Sequence, residues 1–68
     1  MKEIYADKYL QLGLKIAYYR KLRGLTQEAL AEQIGVSAAF IGHVEAPNIN
    51  KAISLDTLFD IAAVLDVA

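Results

Sequence analysis

The sequence predicts an all-α domain, a compact bundle of four short-to-medium helices, and three observations carry that prediction. No alternation of apolar and polar residues long enough for a strand survives anywhere in the 68 residues. Apolar residues recur instead at the three and four spacing of helices. Capping residues and punctuating glycines (Thr26, Ser37, Ser54, Gly24 and Gly35) stand where four such stretches begin or end.

The first helix is expected from about Asp7, an N-cap residue type, to Arg23, with Gly24 turning the chain through a left-handed conformation. At 100° per residue, Tyr5, Tyr9, Leu12, Ile16 and Tyr19 form its core stripe. Leu10, Leu14, Ala17, Tyr18 and Leu22 project to nearly the opposite side, so this helix has two sticky faces. Thr26 caps a second helix from Gln27 to about Gln33, with Leu30, Ala31 and Ile34 inward, and Gly35 ends it. Ala31 is small where two helices joined by a tight turn must approach closely.

Ser37 caps a third helix running to Glu45, with Ile41 and Val44 inward. Pro47 forbids its continuation by removing an amide donor and clashing with the turn before it. A loop carrying Asn48, Asn50 and Lys51 follows. Ser54 then caps the last helix, with Leu55, Leu58, Ile61, Ala62 and Leu65 as its apolar stripe and Asp56, Asp60 and Asp66 toward water.

Composition narrows the function. A chain this short is a single domain, residues 1–68, burying only about 60% of its extended surface. It has no cysteine, so disulfides, thiolate metal sites and cysteine nucleophiles are excluded, and a lone His43 cannot build a metal site. No cofactor is implied. No apolar run approaches the roughly 20 residues that span a bilayer, and MKEIYADKYL is not a signal peptide, so the reading is a soluble, cytoplasmic protein with no membrane partner. An enzyme is disfavoured: scattered carboxylates, tyrosines and one histidine offer no constellation, and the short loops suggest no sizeable pocket. The net charge of −1 hides an asymmetry: six basic residues face two acidic ones in residues 1–25, whereas Lys51 alone faces six acidic residues from 26 onward.

Across most of its length, from about Leu12 to Val67, the sequence resembles the Xre/Cro-repressor family of helix-turn-helix transcription regulators. The residues that carry the resemblance are Arg20, Arg23, Gly24, Leu25, Thr26, Gln27, Leu30, Ala31, Gly35, Val36, Ser37, Ile41, Val44 and Glu45, and SLDTLFDIAAVLDV is similar to the family's next helix. The resemblance implies a helix-turn-helix core at 26–45 whose third helix enters the major groove of double-stranded DNA. It implies Ala38, Ala39, Gly42 and His43 toward the bases, and Gln27, Ser37, Asn48, Asn50 and Lys51 toward phosphates. Arg20 and Glu45 resemble a family ion pair; otherwise both are exposed and contribute little.

Each of these residues also has a plainer reading. Gln27 is a good helix former after a cap, His43 an exposed helix residue, and Asn48, Asn50 and Lys51 turn formers and a solvated charge. The base-facing set lacks the Gln, Arg, Asn or Lys that make bidentate base contacts, so readout is expected through thymine methyls, one histidine and groove shape. Gly42 costs about 1 kcal/mol of helix propensity and suggests a close approach by DNA or another protein.

The family usually continues into a fifth helix, which this sequence lacks. Phe59, Val64, Val67 and the second stripe of the first helix are then surface for a partner or for a longer chain. The expected function is a sequence-specific DNA-binding repressor acting as a homodimer. The alternative is a protein-interaction module, an antitoxin or adaptor, meeting its partner through Leu10, Leu14, Tyr18 and Leu22.

Overall fold

Among the described residues, three of the four α-helices start on a hydroxyl side chain. In the computed structural model, which describes residues 3–47, 49 and 51–67, a 3-10 turn at Glu3–Tyr5 leads into α1 (Ala6–Leu22), α2 (Gln27–Ile34), α3 (Ala38–Glu45) and α4 (Leu55–Leu65). Thr26 accepts from the Ala29 amide, Ser37 from Phe40 and Ser54 from Thr57, each satisfying a donor the first helical turn leaves unpaired.

The first helix begins differently from expectation. Tyr5 occupies the cap position without a side-chain hydrogen bond, and Asp7 lies inside the first turn. The 3-10 turn hands the chain straight into α1, so no cap is needed, and Asp7 complements the helix dipole instead. Tyr5 is exposed rather than part of the core stripe, because the tighter winding of residues 3–5 breaks the 100° extrapolation.

α1, α2 and α4 end in one way. Leu25 donates to the Arg20 carbonyl, Val36 to Ala31 and Val67 to Ala62, each at 3.0 Å, closing over a left-handed residue. That residue is Gly24 (φ 73°), Gly35 (φ 75°) and Asp66 (φ 57°). Glycine adopts this conformation without steric cost, whereas Asp66 holds it against its own Cβ. Arg23 steadies that third end, its Nε donating to the Leu65 carbonyl at 2.7 Å.

Each helix sends its apolar stripe to one core: Ile16 from α1, Leu30 and Ala31 from α2, Ile41 and Val44 from α3, Ile61 and Leu65 from α4. A fully buried Leu or Ile contributes about 1.5–3 kcal/mol, so these few side chains hold the layers together. Val64 and Val67 pack partly against the core, while Phe59 stays exposed. Leu55, expected in the α4 stripe, is exposed because it stands at the first residue of the helix, beside the shallow cleft of Lys8, Tyr9 and Ile53.

Gly13 sets the distance between α1 and α3. A Cβ at this position would collide with the Val44 carbonyl oxygen, so α1 meets the backbone of α3 directly. This contact brings Arg20 within reach of the end of α3.

Candidate nucleic-acid interface

α3 lies beyond a short turn, Gly35–Ser37, from α2, and one buried network fixes how the two sit on α1. Arg20 grips the Glu45 carboxylate at both oxygens, Nε to Oε2 at 2.7 Å and Nη2 to Oε1 at 2.9 Å. Its third nitrogen, Nη1, donates to the Leu25 carbonyl at 2.8 Å. Gln27 adds a bond from Nε2 to Glu45 Oε1 at 3.0 Å. The side chains of Arg20 and Glu45 are only 8% and 6% exposed. The hydrogen bond to Glu45 holds the arginine pKa above its ordinary value, outweighing the opposite pull of burial. Among the described residues no buried side-chain polar atom lacks a partner. Four points of the fold, α1, the α1–α2 turn, the start of α2 and the end of α3, are thereby tied into one network.

The outer face of α3 is low and mostly bare. Ala39 and His43 are exposed, and Gly42 is half-buried. Ala38 is also half-buried and packs against the core, so only part of its methyl faces outward. Gly42 has an intramolecular neighbour in Gln27, whose Oε1 lies 3.4 Å from where a Cβ would stand. That is ordinary van der Waals spacing, so packing within the chain does not require glycine there.

The polar candidates are partly committed. One amide hydrogen of Gln27, the first residue of α2, goes to Glu45, leaving the second to donate. Ser37 accepts from Phe40, which leaves its hydroxyl hydrogen to donate. Lys51 holds its ammonium 5.5 Å from the centre of the Phe40 ring, a cation–π contact that keeps it beside α3. Asn48 and Asn50 lie outside the described residues.

Three contributors escaped the sequence reading. Gly13 had a signal, since a glycine inside a helix costs about 1 kcal/mol and asks for a packing reason. The Arg23 contact with the end of α4 spans 42 residues of sequence and had none. Phe40 had only a weak one, an aromatic placed beside the bare face.

A groove between α1 and α4, about 560 Å³ and lined by Leu12, Ile16, Tyr19, Leu58 and Leu65, corrects the expectation that short loops leave no sizeable pocket. It is chiefly apolar, with Lys15 its one charged side chain. Among the described residues no group of three His, Cys, Asp or Glu side chains is placed to hold a metal, and no helix is long and apolar enough to cross a membrane.

Two short helices set across a glycine turn and locked from behind by a buried ion pair form a helix-turn-helix. Residues 16–68 match the family model described as Helix-turn-helix. The chain is 36% identical over 56 residues to the uncharacterized HTH-type transcriptional regulator YazB of Bacillus subtilis (strain 168), covering 82% of this chain and 78% of YazB. Its fold is similar to that of the restriction-modification controller protein C.AhdI from Aeromonas hydrophila, with a TM-score of 0.84 at 26% identity, over 94% of this chain and 90% of that one. It is also similar to SinR, the master regulator for biofilm formation, solved in complex with DNA, with a TM-score of 0.74 at 36% identity over 82% and 87% of the two chains. The protein belongs to the helix-turn-helix family, in agreement with the Xre/Cro-type resemblance of its sequence.

Proposed function

We propose that the protein is a double-stranded-DNA-binding transcription regulator, a repressor that lays α3 in the major groove and blocks promoter DNA by occupancy. The observation that carries this reading is the outer face of α3, where Ala39, Gly42 and His43 leave a low surface beside the amide-rich start of α2. Ala39 and the exposed part of Ala38 pack on thymine methyls, and His43 hydrogen-bonds a base edge. Phosphates are met by the second amide hydrogen of Gln27, the Ser37 hydroxyl and Lys51, joined by Asn48 and Asn50.

Each chain carries one α3, and half-sites one helical turn apart are separated by roughly 34–36 Å. One chain reads one half-site, so a pseudo-palindrome takes two. Selection of bound duplexes from a random library tests the reading. The expected product is a pair of thymine-containing half-sites spaced by about one turn, with Ala39→Glu abolishing enrichment while leaving the melting temperature unchanged. A folded wild-type protein that enriches nothing would sink the proposal and favour an adaptor or antitoxin on the same fold.

A further inference from the structure

We propose that Phe40 is a positioning residue for DNA binding, its ring holding the Lys51 ammonium beside α3, still charged, for a backbone phosphate. This role rests on the DNA-binding reading of α3 and adds a residue that reaches DNA only through another. Lys51 is the one lysine or arginine in residues 26–68, so the helix-turn-helix and everything after it depend on this side chain for a full positive charge. Among the described residues no acid neutralises it, since the one ion pair there joins Arg20 to Glu45. The segment that carries Lys51 has little to hold it. Between Ala46 and the Ser54 cap the backbone is in no helix, and among the described residues it makes one internal backbone hydrogen bond, Ile49 donating to the Ala46 carbonyl at 3.4 Å. A lysine on such a segment samples many rotamers and loses that freedom on meeting a phosphate.

Phe40 removes part of that loss beforehand. Its ring is half-buried and packed against the core from α3, so it is itself fixed, and the Lys51 Nζ lies 5.5 Å from its centre. The kind of contact matters. A carboxylate in place of the ring would also hold the ammonium but would cancel its charge, as Glu45 does for Arg20. An aromatic face attracts the cation through its quadrupole and carries no net charge, so the ammonium keeps its attraction for phosphate and its three N–H donors. A phosphate then meets the side of the ammonium that the ring leaves open. An exposed cation–π contact raises the population of the held rotamer about threefold, and affinity for DNA rises by the same factor.

A double-mutant cycle on affinity for a labelled duplex from the selection above tests this role, with thermal melts to show that each variant is folded. Phe40→Leu, which keeps an apolar side chain on the core, should weaken binding about threefold in the wild-type background and not at all once Lys51→Met has removed the cation. The salt slope separates charge from position: Lys51→Met should shrink its magnitude by about 0.9, whereas Phe40→Leu should leave it unchanged. Phe40→Tyr, which keeps the ring face, should bind as the wild type does. In the free protein the Lys51 ε-methylene protons should resonate upfield, over the ring, and lose that shift in Phe40→Leu. Losses that add across the cycle, or ε-methylene protons without a ring shift, would overturn the role of Phe40 while leaving DNA binding intact. A wild-type chain that binds no duplex would remove the DNA-binding reading and this role with it.

Discussion

Glu45 is the residue on which the seating of α3 depends, since its carboxylate is shared by Arg20 and Gln27 in a nearly buried site. Removing one partner of a buried pair leaves the other charge dry and costs about 3–5 kcal/mol. Glu45→Ala should therefore lower the melting temperature sharply, and a shift equal to that of the exposed control Glu28→Ala would contradict it. On the arginine side the contribution is insensitive to pH: the raised pKa means stability is lost only as pH climbs through that raised value, above the range in which such domains survive. The two glycines of α1 and α3 should part company. Gly13→Ala drives a methyl into the Val44 carbonyl and should destabilise by about 1–3 kcal/mol, whereas Gly42→Ala has room beside Gln27 and should stabilise by up to about 1 kcal/mol. Chemical denaturation measures both, and equal signs would refute the packing argument.

At the scale of elements, the three hydroxyl caps and two glycine stops were legible because their chemistry is local: a side chain three residues from an unpaired amide, and a residue free to adopt positive φ. The start of α1 was not, because a 3-10 turn that enters a helix without a cap leaves no distinctive residue type. The third left-handed stop was also hidden, since Asp66 reads as an ordinary exposed acid on the α4 pattern. Its geometry makes a prediction. Asp66→Gly should stabilise by up to about 1 kcal/mol by relieving a Cβ in the left-handed region, while Ala63→Gly, exposed inside the same helix, should cost about 1 kcal/mol. Thermal melts of the two variants moving the same way would show that Asp66 bears no such strain.

For the whole molecule, the packing of four helices around Ile16, Leu30, Ile41 and Ile61 followed from periodicity, but what each exposed face is for did not. Sequence spacing placed Ala39, Gly42 and His43 together; it could not say that Gln27 leans over Gly42, or that Lys51 rests on Phe40. The charge asymmetry also looks different once folded, because Arg20 is neutralised by Glu45 and Arg23 is drawn to the carbonyls of α4. Among the described residues few cations are left free for phosphates, so DNA affinity should be modest and its salt dependence shallow. Titration of a labelled duplex across a series of salt concentrations tests the central claim most directly. Saturable binding whose log affinity falls linearly with log salt, with a slope of about −2 to −4, is the predicted result. No saturable duplex binding even at low salt would contradict it.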